Sequence, residues 1–492
     1  MFKTKLLVLF LVCAFILCSC ADISMEDSSS VADESSVNYD SSVPEKDDGS
    51  SVSEGESSAA DLSSDTKPEE SEEQSRPDNS TPFEESEEEP VSQPEDTSSV
   101  PESSDNVYEG EDKVISFVAC PDNIIHPSVY YYALQSAAAE KGVEPDYSNL
   151  QTAEYKFDHI YDNIAATVKK ADISYINVET LIGGNENPIS GYPMFNSPEA
   201  AGETLIDLGF DIFNLAHNHM LDSGNDKYLI NCDRFFTERG GTTIGYYKDK
   251  ADLNNVVIYE QSGVKIAFLA YTYSTNGIGL SSYASTYIPY INSDLMKSQM
   301  ALAKEKADLV FVSIHWGDED SFTPNGAQRQ AAQTLVDAGA DVIIGMHPHV
   351  IQESKWIQRE DGSRCFLTYS LGNLLSGMYG GKNALGSILS LDIVCENGKA
   401  PYVDNVLITP TVCHYEKETS VNYQTDTGFR QFKIYPLADY TEELAAAHGC
   451  HKNKGKISSF DQQLDGNFSL DTLYAKVKAI IPEEFLPDEI LD

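Results

Sequence analysis

Residues 309–317 read Leu309-Val310-Phe311-Val312-Ser313-Ile314-His315-Trp316-Gly317. An uncharged run rich in β-branched and aromatic side chains reads as a strand (309–315) buried on both faces, and it stops on a histidine. A second run, 342–345, leads into Met346-His347-Pro348-His349. Outward from this pair, similar runs stand at 114–119, 173–178 and 211–216. Between the runs lie stretches with helical apolar spacing, at 155–170, 199–208, 227–239, 294–307 and 327–338. Strand-helix alternation of this kind predicts an α/β fold with buried, largely parallel strands. Two more strands, 256–260 and 264–272, flank Gln261-Ser262-Gly263 and read as a hairpin, so the sheet system is mixed.

The chain has ten histidines, and six of them, His126, His217, His219, His315, His347 and His349, follow directly on predicted strands. In open α/β sheets the loops beyond the carboxyl ends of the strands are where sites assemble. The other polar residues keep the same places: Asp122 after the first strand, Asn177 and Glu179 after the second, Asn218 beside His219 after the third. Imidazole, carboxylate and amide oxygen together suit divalent zinc, manganese or iron. No cysteine pair has the spacing of a structural zinc site. Cys120, Cys232, Cys365, Cys395, Cys413 and Cys450 are far apart in the chain, read as small buried apolar residues, and are assigned no bridge.

The first hundred residues are of another kind. Lys3 and Lys5 precede an apolar run at 6–17, shorter than the roughly 20 residues that span a bilayer but of a length suited to an export leader. It ends in Leu17-Cys18-Ser19-Cys20, which resembles the bacterial lipobox. By that resemblance residues 1–19 are removed, Cys20 carries lipid, and the protein is exported and anchored on the outer face of the cytoplasmic membrane. The net charge is −46, and residues 21–112 hold 30 acidic and 3 basic side chains among serine and proline. Such a segment cannot bury enough apolar surface to offset its ordering entropy, so 20–112 is expected to be a disordered, self-repelling tether. With so few cations, nucleic acid is excluded as a partner.

Six blocks carry a family resemblance. They are Cys120-Pro121-Asp122-Asn123-Ile124-Ile125-His126, Ile176-Asn177-Val178-Glu179-Thr180, Asn214-Leu215-Ala216-His217-Asn218-His219-Met220-Leu221-Asp222, Ile314-His315-Trp316-Gly317, Gly345-Met346-His347-Pro348-His349-Val350 and Tyr369-Ser370-Leu371-Gly372-Asn373. In this order they resemble the poly-γ-glutamate capsule-biosynthesis CapA family, within the calcineurin-like metallophosphatase superfamily. The resemblance implies a four-layer αββα sandwich at 113–410; beyond the matched blocks, 411–492 is expected to be an extension packed on it. The resemblance also implies two divalent ions, manganese, iron or zinc, at one edge. Carried over, Asp122 and His349 hold one ion; Asn218, His315 and His347 hold the other; Glu179 bridges. His219 is then the general acid. His126, separated from Asp122 by three residues where the superfamily has one, stays open between a ligand, a residue that supports a ligand and a substrate-facing residue. His217, Asn177, Asp222 and Asn373 are expected to be ligands or to hold the ligands in place, Asp222 and Asn373 by hydrogen bonds to ligand histidines. Trp316 is expected to pack beside His315.

Two functions fit. One is a surface-anchored, two-metal hydrolase of the phosphoesterase type that acts in making or exporting an anionic polymer, poly-γ-glutamate by the resemblance. The other is a non-catalytic surface protein whose metal-bearing cleft holds polymer or a capsule synthetase partner. A general acid at His219 favours the first, because a binding module has no use for one.

Overall fold

The computed structural model describes residues 107–418, 428–453 and 467–491. The expected leader, Cys20 and the tether as far as residue 106 lie outside the described residues. The chain first lays down β1 (Lys113–Asn123), α1 (Pro127–Lys141), α2 (Asp162–Lys170), β2 (Ile173–Asn177), α3 (Glu199–Asp207), β3 (Ile212–Asn214), α4 (Lys227–Thr237) and β4 (Thr242–Ile244). These four strands are parallel neighbours. A second sheet follows, from the hairpin β5 (Val257–Gln261) and β6 (Val264–Thr272), then α5 (Ser293–Lys306), β7 (Leu309–His315), α6 (Gly326–Asp337), β8 (Val342–Met346), β9 (Ser354–Gln358) and β10 (Arg364–Thr368). The chain then returns to the first sheet with β11 (Asn373–Leu375), β12 (Leu385–Cys395), β13 (Tyr402–Lys417) and β14 (Phe429–Pro436), and ends in the helices α7 (Glu442–Ala447) and α8 (Leu470–Ile480) before a last short turn of helix. The first sheet has the order β14-β13-β12-β1-β2-β3-β4 with β11 beside the end of β1; the second has β5-β6-β7-β8-β10-β9.

Alternation along the strands sorts side chains into layers. In β1, Phe117 and Ala119 enter the core shared by the two sheets, whereas Val118 and Cys120 face α1 to α4. In β7, Leu309 and Phe311 enter the shared core and Val310, Val312 and Ile314 meet α5 and α6. Phe117, Phe268 and Phe311 close that inner core, with centroids 5.1 to 6.3 Å apart. The architecture is therefore helices, sheet, sheet, helices.

One device repeats at the amino ends of the parallel strands. Asp172, Asp211, Asp308 and Asp341 each stand one residue before a strand. Each donates its own N–H to the neighbouring strand (to Ser116, Ser174, Lys265 and Val310) and accepts that same residue's N–H on its carboxylate at 2.8 to 2.9 Å. A paired bond of this kind pins register where a one-residue slip would turn every side chain to the wrong layer. The sequence shows it as Ala171-Asp172, Phe210-Asp211, Ala307-Asp308 and Ala340-Asp341, each ahead of an apolar run.

Several boundaries differ from the sequence reading. β1 runs on through Pro121 to Asn123, and its pairing with β2 shifts between Cys120 and Asp122. Proline has no N–H to give a ladder and is tolerated at such a bulge. The helix expected at 155–170 is one 3₁₀ turn (Asp158–Ile160) followed by α2. The sequence reading has no counterpart for α1, bounded by Pro127 in its first turn and by Gly142 in the left-handed conformation. The boundary expected after residue 410 falls inside β13, and β14 extends the same sheet. Beyond it, Leu473, Val477, Ile481 and Phe485 join the core between the sheets. Cys120, Cys232, Cys365, Cys395, Cys413 and Cys450 are buried free thiols.

At the amino end of β1 the incoming chain is clipped to the turn between β12 and β13. Tyr108 donates to the Lys399 carbonyl, Gly398 donates to the Tyr108 carbonyl, and the Asn397 N–H donates to Asp112. Asp122 stands at the other end of that strand.

Candidate metal centre

Across the carboxyl ends of β1, β2 and β3 runs a chain of side-chain bonds. Asn214 donates Nδ2 to Asn177 Oδ1 at 2.7 Å, and Asn177 donates Nδ2 to Asp122 Oδ1 at 2.7 Å. Asn214 is itself fixed by the Ala216 N–H. The other Asp122 oxygen accepts the backbone N–H of His347 from the second sheet at 3.1 Å. Asn177 is thus the group that aims Asp122.

From the second sheet, His315 ends β7, and His347 and His349 follow β8. Both of the latter sit at positive φ (99° and 56°), a conformation that a non-glycine residue holds at a cost of about 1–3 kcal/mol when surrounding contacts enforce it. His315 Nε2 lies 3.0 Å from Asn218 Oδ1 and 3.8 Å from Glu179 Oε1. His349 Nε2 lies 3.5 Å from the same Glu179 oxygen, and its Nδ1 lies 3.3 Å from Asp122 Oδ2. Glu179 Oε1 therefore stands between the two halves of the expected ligand set. Ligand atoms of Glu179, His347 and His349 come within 4.8 Å of one another. This tightest group takes one histidine from each half of the expected partition, because Glu179 is central to both.

All of these side chains are buried, Asp122 and His315 at 0% exposure. Burial holds the His315 and His347 imidazoles well below their usual range, with neighbouring imidazoles adding to the effect. Burial likewise pushes the Glu179 carboxyl well above the ordinary carboxylate range. Burial would also lower His349, but Glu179 and Asp122 on either side of it outweigh that and hold it up at about 10. Glu179 Oε2 and His347 Nδ1 are enclosed without a hydrogen-bond partner among the described residues. Two enclosed carboxyl groups packed against three imidazoles, with polar atoms of Glu179 and His347 unmet, are costly unless a cation compensates them. The donor set fits a divalent ion.

The remaining expected residues hold these in place. Asn373 Oδ1 lies 3.0 Å from His349 Nδ1, and its Nδ2 donates to the Asn383 carbonyl, which settles its orientation and leaves His349 Nε2 toward Glu179. His217 is buried with its ring centroid 6.1 Å from that of His315, and its Nδ1 accepts the His219 N–H at 3.1 Å; burial and His219 lower it well below the usual range. Asp222 Oδ2 lies 2.8 Å from His219 Nδ1 and also accepts the Phe195 N–H at 2.7 Å, so the histidine it orients is His219. The Asp222 carboxylate can only accept, so His219 Nδ1 carries a proton and Nε2 is left for another partner. His126 is held at its Nδ1 by the Gly377 N–H at 3.1 Å, and burial with the nearby His349 and His219 lowers it to about 3. Trp316 is 1% exposed and donates Nε1 to the Tyr369 carbonyl, so it packs under the site.

Three further residues reach the site: Asn276 and Phe195 have no signal in the local sequence, whereas Tyr273 belongs to the tyrosine-rich loop 271–290, readable as a polymer-binding rim or as self-packing. Asn276, from the loop after β6, accepts from Asn218 Nδ2 at 3.2 Å, which fixes the Asn218 amide with its oxygen toward His315. Tyr273 lies with its ring centroid 4.5 Å from that of His347 and is 43% exposed, so it borders the opening. Phe195 stands edge-on between His126 and His219, with centroids 5.4 and 4.8 Å away. Asn214 did have a signal, since Ile176-Asn177 and Phe213-Asn214 end adjacent strands alike.

The chain is a mixed two-sheet α/β protein whose strand ends gather a buried Glu179, His347 and His349 cluster compatible with divalent metal ions. Residues 116–378 match the family described as "Bacterial capsule synthesis protein PGA_cap", and the chain belongs to that family. It is 29% identical over 229 residues to the "Capsule biosynthesis protein CapA" of Bacillus anthracis, covering 45% of this chain and 54% of that protein. It is 33% identical over 176 residues to the "PGA biosynthesis protein CapA" of Bacillus subtilis (strain 168), covering 35% and 44%. The chain thus spans about half the length of these curated relatives. Among solved structures it is similar to the calcineurin-like phosphoesterase YfkN from Bacillus subtilis, at a TM-score of 0.35 and 12% identity, covering 61% of this chain and 90% of that one.

Proposed function

We propose that this chain is a two-metal hydrolase of the phosphoesterase type, lipid-anchored at Cys20 on the outer face of the cytoplasmic membrane. Its place is in the synthesis or export of an anionic capsule polymer such as poly-γ-glutamate. The observation that carries the reading is convergence: Asp122, Glu179, Asn218, His315, His347 and His349 come from five strand ends in two sheets and meet in one buried cluster. A pair of bound divalent ions supplies Lewis acidity at a phosphoryl oxygen and acidifies water. Asp122, aimed by Asn177 and His347, and Glu179, central to both halves, hold the positive charge in place. His219, held at Nδ1 by Asp222, is left with Nε2 to deliver a proton to the leaving oxygen, a contribution of about 10²–10⁴ in rate.

Elemental analysis of the full chain loaded with Mn²⁺ should give about two ions per molecule, as two-metal catalysis requires. His347→Ala lowers that content. His219→Ala keeps it while hydrolysis of a generic phosphodiester falls by about 100-fold or more. Loss of metal in His219→Ala would make it a ligand; bound metal with no turnover by the wild type would leave the non-catalytic reading, a cleft for polymer or a synthetase partner. For the anchor, Cys20→Ala should move the protein from the membrane fraction to the soluble one, and an unchanged distribution would refute lipidation there.

A further inference from the structure

We infer that His126 is not a metal ligand but a substrate-binding donor, a neutral imidazole whose Nε2–H is kept free to bond a phosphoryl oxygen at the metal centre. The inference rests on the proposed function and adds a residue to it. Its basis is geometric. The donor at His126 Nδ1 is the Gly377 backbone N–H, 3.1 Å away, and an amide N–H can only donate, so Nδ1 is an acceptor and carries no proton. The ring proton of the neutral imidazole must then be on Nε2. A metal needs an unprotonated ring nitrogen, and the one this ring has is already occupied. Nε2 has no hydrogen-bond partner among the described residues, and the ring is only partly buried, at the start of α1 beside Phe195 and across it from His219.

The contact that sets the tautomer is built for the purpose. A Cβ on Gly377 would stand 2.1 Å from Ser128 Oγ and 2.8 Å from His126 Cβ, so only glycine lets the backbone come close enough to donate. Pro127 fixes the first turn of α1 immediately after the histidine, which leaves the ring little freedom to turn Nδ1 elsewhere. The bond joins residues 251 positions apart, so the loop that follows β11 selects which face of His126 a substrate meets.

Two substitutions separate this role from a structural one. His126→Asn places its amide near the Nδ1 position and keeps an acceptor for Gly377 while removing the outward donor. His126→Gln reaches the Nε2 position and keeps an outward N–H. The measurement is the affinity of the full chain, loaded with Mn²⁺, for inorganic phosphate, with metal content determined alongside. We expect unchanged metal content in both variants, phosphate affinity lowered about tenfold or more in His126→Asn, as for a lost hydrogen bond to a charged group, and most of it recovered in His126→Gln. Full affinity in His126→Asn, or a loss in His126→Gln as large as in His126→Asn, overturns the donor role. Loss of metal in both variants makes His126 a ligand and overturns it as well. A wild-type chain that holds no Mn²⁺ removes the metal reading and the inference with it, whereas a wild type that holds Mn²⁺ isolates any failure to His126.

Discussion

The molecule buries histidines in two places, and they differ in what surrounds them. At the strand ends, His315, His347 and His349 are enclosed with Asp122 and Glu179, and polar atoms are left unmet. On the far strands of the first sheet, His414 in β13 and His448 after α7 are equally buried, their rings 5.5 Å apart, and His414 Nε2 is likewise unmet, but among the described residues no carboxylate pairs with them. His414 Nδ1 lies 2.7 Å from the Tyr440 hydroxyl; His448 bonds the Cys413 carbonyl through Nε2 and accepts the Cys450 N–H at Nδ1. His448 also packs between Tyr415 and Phe468, each centroid 4.5 Å away. Imidazoles alone do not make a metal site; buried anions that need a counter-charge do.

The largest test of that contrast is Glu179→Gln. Even groups that only support a ligand are worth about 10–100-fold in metal affinity, so removing the central anion should cost more than about 100-fold by calorimetric titration with Mn²⁺. His448→Gln should leave that titration unchanged, and a parallel loss there would erase the distinction between the two clusters.

Acid separates them next. Burial lowers His414 to about 4 and His448 to about 3, below the unfolded value near 6.5. The folded state therefore resists protonation that the unfolded chain accepts. The stability these residues permit is complete above about pH 6.5 and is lost as pH falls toward their folded values. At pH 5 each withholds a proton that the unfolded chain holds by about 1.5 pKa units, or about 2 kcal/mol. Denaturant unfolding at pH 7 and pH 5 should show His448→Gln losing about 2 kcal/mol less than the wild type over that interval. Equal slopes would mean that His448 is not held neutral.

The smallest effect belongs to the amide relay. Asn214→Ala frees Asn177, which aims Asp122, so Mn²⁺ affinity should fall by about tenfold with little change in thermal stability of the metal-free protein. An unchanged affinity would show that Asp122 is held by the His347 N–H alone.

The alternation of strands and helices was legible because it is written in local periodicity, and the six site blocks were legible because each follows its own strand. Asn276 and Gly377 could not be read at all. Asn276 acts on a residue 58 positions away and Gly377 on one 251 away, and neither flanking sequence differs from an ordinary loop. In the antiparallel half of the first sheet, 402–409 within β13 reads as a strand, whereas β12 was dim because it alternates between buried and half-exposed positions without a helix beside it to mark a crossover. β13 runs across residue 410, the end expected for the main domain.

The clip at Tyr108 and Asp112 and the carboxylate of Asp122 lie at opposite ends of one strand, with nine residue steps between Lys113 and Asp122, a separation of about 30 Å. The chain therefore enters the described residues at the end of β1 opposite Asp122, and a handle fused directly at residue 107 is joined at the far end of that strand from the carboxylate.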